Sequence, residues 1–316
     1  MDFGLHLGTR GAAANPGGLR ALAEHAEALG FSYLGLSDHI IISRSIDSKY
    51  PYSENGDWPG VDTGACLDQL TCLTYAAAVT EKIRLLTSVM VIPHRPPVQT
   101  AKILATADML SNGRVTVGVG VGWMREELEL LSAPPFNRRG AASNEYIEAF
   151  RALWTEASPQ YEGEFVSFDN VSFEPKPLQT DGLPIWIGGE GMAARKRTGR
   201  LGDGWYPVMR NPRHLMNTPD KFATALADVH RFADEEGRDP GKIDTAMFAP
   251  GYTQSAGDAS ADRWAFTGAP EQIAEDVSAY RKAGLNHLLI GFEDSDLQRS
   301  LDTIEGFAKE VMPLVT

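Results

Sequence analysis

Eight short β-rich runs, each followed by a stretch with helical periodicity, divide the chain from end to end. The runs fall at residues 3–8, 33–37, 83–92, 114–121, 185–187, 204–208, 243–248 and 287–292. After the first, Leu19, Leu22, Ala23, Ala26 and Leu29 recur at the helical spacing, and Gly30 supplies a C-terminal stop. Pro97 opens a later helix with Val98, Ala101, Leu104 and Ala107 on its inner stripe, ended by Asn112 and Gly113. Further helices are centred near Ala194, Ala227, Val277 and Ile304. Residues 83–92 are nearly all apolar, as expected of a strand covered on both faces. Alternating strands and helices with short connections give a parallel sheet, and eight such units favour closing it into a barrel. The expected fold is α/β, a (β/α)8 TIM barrel with loop insertions, forming a single domain over residues 1–316.

Three segments break the rhythm. Residues 42–65 are long, polar and rich in Gly, Pro, Tyr and Trp, and they follow the second strand. In a barrel this places them on the catalytic rim, with Tyr52 and Trp58 as candidate walls of a substrate pocket. Residues 157–184 carry two β-like runs, 164–168 and 171–174, split by Asp169 and Asn170, the pattern of a hairpin excursion. Residues 249–266 are small, polar and Gly-rich, the makeup of a mobile lid.

Composition limits the partners. A formal net charge of −13 lacks the basic footprint of a duplex-binding protein, so nucleic acid is not an expected partner. Cys66 and Cys72 stand six apart on an expected helix and belong to no CxxC pair. That argues against structural zinc and for buried thiols in a reducing compartment. The start lacks a basic n-region and a long apolar core, and no apolar run approaches the roughly 20 residues of a membrane helix. A cytoplasmic protein without a membrane partner is expected.

Four constellations carry chemistry. Ser37-Asp38-His39 ends the second strand, at the catalytic end of a barrel. His39 is the candidate proton donor or acceptor, and Asp38 either orients its ring, accepts cofactor hydroxyls, or merely caps the next loop. Thr87-Ser88-Val89-Met90 puts two hydroxyls inside an apolar strand. Gly118, Gly120 and Gly122 alternate up to Trp123, allowing close approach of a ligand or of a neighbouring strand. This is a weak dinucleotide fingerprint, because the third glycine comes one position early. Gly188-Gly189-Glu190-Gly191-Met192 joins a strand to a helix, where free backbone N–H groups bind phosphate. Glu190 is at odds with an anion there unless its side chain points to solvent.

In this order, together with Leu110-Ser111-Asn112-Gly113-Arg114 and Gly202-Asp203-Gly204-Trp205, these motifs resemble the luciferase-like monooxygenase superfamily over nearly the whole chain. They look closest to its F420-dependent oxidoreductase branch. The resemblance implies that Asp38 and His39 lie beside the ring of coenzyme F420 or, alternatively, FMN. It implies a non-prolyl cis peptide at Ser88-Val89, bulging against that ring. Gly120, Val121, Gly122 and Trp123 would line the ring and its side chain, and Gly188, Gly189, Glu190, Gly191 and Met192 would hold the cofactor phosphate. His6, Tyr52, Trp58, Trp123 and Trp205 are the expected substrate-pocket residues, with His39 catalytic. Trp123 stands where F420-dependent sugar-phosphate dehydrogenases carry a catalytic glutamate, and Ser43 where they carry a tryptophan, which argues against sugar-phosphate oxidation. Gly120-Val121 replaces the Cys-Arg pair of bacterial luciferase, which favours deazaflavin over FMN. The implied activity is hydride transfer between F420 and a small organic substrate. The alternatives are an FMN-dependent monooxygenase and a flavin-binding barrel without turnover. A homodimer through the early helices is implied, as is a flavin or F420 reductase supplying reductant.

Overall fold

A computed structural model describes residues 1–58, 64–255, 263–292 and 294–315. Eight strands form a closed barrel: β1 (Asp2–Leu7), β2 (Tyr33–Leu36), β3 (Arg84–Val91), β4 (Val115–Gly120), β5 (Ile185–Gly188), β6 (Gly204–Tyr206), β7 (Asp244–Ala249) and β8 (His287–Gly291). Each pairs in parallel with the next, and β8 returns to β1. The expected barrel is therefore the observed one, and every expected strand overlaps its counterpart. The helices are α1 (Pro16–Ala28), α2 (Gln69–Val79), α3 (Pro97–Leu110), α4 (Arg125–Leu130), α5 (Arg139–Thr155), α6 (Met192–Leu201), α7 (Pro219–Glu235), α8 (Pro270–Lys282) and α9 (Leu297–Gly306).

Alternation along each strand sorts side chains into two compartments. Tyr33, Leu86, Trp186, Tyr206, Ala246 and Leu289 fill the barrel interior. Their neighbours Leu34, Leu85, Ile185, Ile187, Trp205 and Met247 face outward into the larger core beneath the helices. Interior filling sets residue size across the ring. A Cβ at Gly204 would lie 2.3 Å from Trp186 Cδ1, so the indole demands a glycine opposite it. At the other end of the ring contacts, Arg114 binds β4 to α2. Its guanidinium donates to the carbonyls of Ala77, Thr80, Ile83 and Ser111 and to Thr80 Oγ1, at 2.7–2.9 Å. The Ala77, Thr80 and Ile83 carbonyls lie between the last turn of α2 and the start of β3, and the Ser111 carbonyl ends α3.

Three local readings change. The excursion after α5 is a hairpin, but it pairs Tyr161–Glu162 with Ser167–Phe168, not 164–168 with 171–174. Gly163 N donates to Val166 O and closes the turn before Asp169 is reached. Asp68 caps α2 by accepting from Thr71 N at 2.8 Å, so Cys66 precedes the helix. Cys72 is buried, whereas Cys66 is half-buried. Of the proposed lid, residues 256–262 lie outside the described residues.

Gly118 is the tightest approach in the sheet. A Cβ there would sit 2.2 Å from the Thr87 carbonyl oxygen on β3. Gly118→Ala is expected to destabilise the fold by about 3 kcal/mol, because a backbone atom must move rather than a flexible side chain. Equilibrium urea unfolding measures this, and an unchanged midpoint contradicts it.

Candidate active site

The segment leaving β2 is held by two buried ionic contacts. Asp38 accepts from Val91 N at 2.9 Å and takes the Arg95 fork on both oxygens, at 2.8 and 2.9 Å. Arg95 also reaches Asp68 at 2.8 Å. Both Asp38 oxygens are thus engaged, and the carboxylate locks β2 to the end of β3. The His39 ring is oriented instead by Glu127 from α4: Nδ1 and Glu127 Oε2 are 2.8 Å apart. Glu127 Oε1 accepts from the amides of Ile40 and Ile41 at 2.7 and 3.2 Å. A carboxylate only accepts, so Nδ1 carries the proton, and Nε2 of the neutral ring keeps its lone pair. This is the geometry by which a carboxylate fixes a catalytic imidazole's tautomer.

The environment keeps Glu127 an acceptor. Burial opposes charge on Glu127, but the His39 bond, the nearby His94 and His39 charges and the Ile40 amide outweigh it and hold the carboxyl below its ordinary value. His94, buried between Asp38 and Glu127 at 3.9 Å from each, is lowered mainly by burial.

Across the mouth, β3 slips register between Thr87 and Met90, and the Ser88–Val89 peptide is cis, as the resemblance led one to expect. Val89 then stands between two glycines. A Cβ at Gly120 would meet it at 2.8 Å and one at Gly188 at 3.0 Å. The glycines of β4 and β5 therefore make room for Val89 as much as for any ligand. Ser88 O lies 3.2 Å from His6 Nε2, and His6 stacks on Phe248 with centroids 4.0 Å apart. Ser88 Oγ lies 2.8 Å from the Tyr206 hydroxyl, whose proton affinity burial raises. Both hydroxyl-bearing strand residues are thus satisfied, Thr87 by the Gly118 carbonyl at 2.8 Å.

Aromatic rings wall the rim. Trp58 lies 4.6 Å from the His39 ring and 6.0 Å from Trp123, which meets Tyr50 at 5.1 Å; Tyr50 meets Tyr52 at 5.4 Å. Burial, with Glu190, Tyr50 and Tyr206 adding to it, keeps the Tyr52 phenol protonated. Tyr52, Trp58 and Trp123 are therefore brought together with His39, and His6 lines the interior below. Trp205 is not: it is fully buried on the outer face of β6, stacked on Phe222 with its Nε1 donating to Gly189 O. One residue of strand alternation separates it from Tyr206, which faces inward in its place.

The β5–α6 turn presents backbone to the rim. Gly189 has φ +113°, Gly191 caps α6, and Met192 is exposed. Glu190 does not point to solvent, the orientation expected if an anion binds here. It is buried and accepts from Val208 N and Asn211 Nδ2 at 2.7 and 2.6 Å, and burial raises its carboxyl. With that carboxylate turned inward and bonded, the α6 N-terminus fits a cofactor phosphate, and the apolar Val89 bulge between glycines fits a flat ring. Sequence reasoning passed over Glu127, which stands among Glu126 and Glu129 in Arg125–Leu130; only its burial distinguishes it. Tyr206 and Arg95 carried no local signal.

Comparison with known proteins fits this geometry. Residues 1–265 match the family described as luciferase-like monooxygenase, and the chain belongs to that family. An uncharacterised Mycobacterium tuberculosis protein is 34% identical over 289 residues, covering 89% of this chain and 96% of its own. The FMNH2-dependent dimethylsulfone monooxygenase of Pseudomonas putida is 26% identical, covering 94% of this chain and 87% of its own. The coenzyme F420-dependent tetrahydromethanopterin reductase of Methanopyrus kandleri shares the fold, with TM-score 0.77 and 19% identity over 100% of this chain and 99% of its own. The family thus supports an enzyme, an oxidoreductase or monooxygenase with a flavin-type cofactor. No helix among the described residues is long and apolar enough to cross a membrane.

A carboxyl lowered in the fold stabilises it above its unfolded value, and that contribution is lost as pH falls through the folded one. Glu127 is such a group. Glu127→Gln should lower the urea midpoint near neutral pH and flatten its decline between about pH 5 and about pH 3. An acid limb identical to wild type counts against the His39–Glu127 pairing.

Proposed function

We propose that the protein is an oxidoreductase that moves a hydride between coenzyme F420 and a small organic substrate, with His39 as the acid–base group. The observation that carries this reading is the buried Glu127 carboxylate on His39 Nδ1 at the catalytic end of β2. When bound, F420 supplies a two-electron hydride carrier. The chain supplies the rest. The Val89 bulge and the glycines beside it offer the ring a flat apolar seat, and the Gly188–Met192 backbone takes the phosphate. Gly120, Val121 and Gly122 border the same seat. Trp58, Trp123 and Tyr52 exclude water from the reacting atoms. His39, held as the Nδ1–H tautomer, gives or takes the substrate proton at Nε2, and Glu127 stabilises the charged ring.

FMN-dependent monooxygenation is the second reading, favoured by the sulfone monooxygenase relative that the chain matches over 94% of its length. Fluorescence titration with F420 and with FMN, each oxidised and reduced, separates the two. Tight F420 with weak FMN binding is the expected result; the reverse selects monooxygenation, and binding without turnover of any acceptor selects a carrier.

His39→Ala should fold and still bind cofactor, while turnover with nitro, enone or imine acceptors falls by roughly 100- to 10,000-fold. Near-wild-type turnover makes His39 a bystander, and a large fall in melting temperature with normal activity per folded molecule makes it structural.

The protein is further proposed to act as a homodimer, fed by a separate flavin or F420 reductase. Leu67, Tyr75, Val98, Met109 and Leu110, on and around α2 and α3, are large exposed apolar residues in keeping with pairing. Sedimentation should show at least a dimer at micromolar concentration; a monomer rejects it.

A further inference from the structure

Arg210 follows β6 at the C-terminal face of the barrel. In the ring, β6 lies four strands from β2 and therefore faces it across the mouth. The guanidinium is half-buried, yet it has no hydrogen-bonded or ionic partner among the described residues, and its Nε is buried without an acceptor. It is nevertheless held in place. The Trp264 ring covers one face, with Cζ 4.6 Å from the centroid. The Gly251 backbone closes on it so tightly that a Cβ there would sit 2.9 Å from Nη1. Neither neighbour accepts a hydrogen bond from it. On its flanks Val208 N and Asn211 Nδ2 both donate to Glu190, so that carboxylate already holds two other donors. Leaving a fixed guanidinium unpaired and partly desolvated is unfavourable, and burial already weakens its hold on the proton. Its planar fork matches an oxyanion in two-point contact.

We propose that Arg210 is the anion-recognising residue of the mouth, and that the organic substrate carries an oxyanion group, a carboxylate or sulfonate, docked there away from the reacting atom. This rests on reading the mouth as a redox site, and it narrows the substrate class. The cofactor phosphate is provided for at the α6 N-terminus, so Arg210 remains for the substrate.

The test uses matched probes: benzenesulfonate against methyl phenyl sulfone, and benzoate against benzamide. Each is titrated into the full chain with and without oxidised cofactor, read by tryptophan fluorescence, because Trp264 lies on the guanidinium. Wild type should bind the anionic member roughly 10- to 100-fold more tightly than its neutral partner. Arg210→Gln should abolish that preference and leave the cofactor Kd within about twofold, while Arg210→Lys retains part of it. Equal binding of the paired probes, or no binding of the anions, overturns the proposal, as does a preference that survives in Arg210→Gln. A variant that weakens cofactor binding instead assigns Arg210 to the cofactor and also overturns it. If Arg210→Gln does not fold, Arg210→Lys must lose about tenfold on the anions alone. Failure of wild type to bind either cofactor sinks the redox reading separately, since the probe series also runs on the protein alone.

Discussion

One carboxylate organises the mouth of this barrel. Glu127 lies 87 residues beyond Ile40, yet it gathers the His39 ring and the Ile40 and Ile41 amides onto two oxygens. Three donors at one buried anion leave it little freedom and tie the segment after β2 to the start of α4. Everything nearby takes its position from that junction. Trp58 leans on the His39 ring, Trp123 on Trp58, and Tyr50 on Trp123. Asp38 and Arg95 perform the same task one layer down, tying β2 to β3.

The division of labour between adjacent residues explains why two neighbours of similar polarity differ in role. Asp38 faces Val91 N and Arg95 and is fully engaged; His39, one residue on, spends only its Nδ1, on Glu127. The same alternation separates Trp205 from Tyr206. A single step along β6 sends the indole into the helix layer and the phenol into the barrel, where it meets Ser88.

The barrel was legible because strand and helix periods alternate eight times, and burial on both faces leaves a continuous apolar signature, as in residues 83–92. The place of His39 at the C-terminal end of β2 was legible because the strand before it could be read from its apolar run. Glu127 was not: surface and buried glutamates on a short helix look alike until the partner's position is known. Trp205 misled because aromatic content is visible in sequence, whereas the face a three-residue strand turns inward depends on register. The direction of Glu190 was left open by its glycine-rich turn, and the Val208 and Asn211 donors that converge on it favour the inward rotamer. The hairpin was found in the right segment with the wrong arms, because its turn is set by a backbone bond at Gly163 rather than by the Asp-Asn pair.

The barrel interior beneath His6 is plugged. Tyr33, Leu86, Trp186, Tyr206 and Leu289 occupy it, and Trp186 against Gly204 leaves no passage through that layer. Among the described residues the layer below His6 is closed, which leaves the C-terminal mouth as the way in from above. Were two reactants to stack in that mouth, the deeper would have to enter first and leave last.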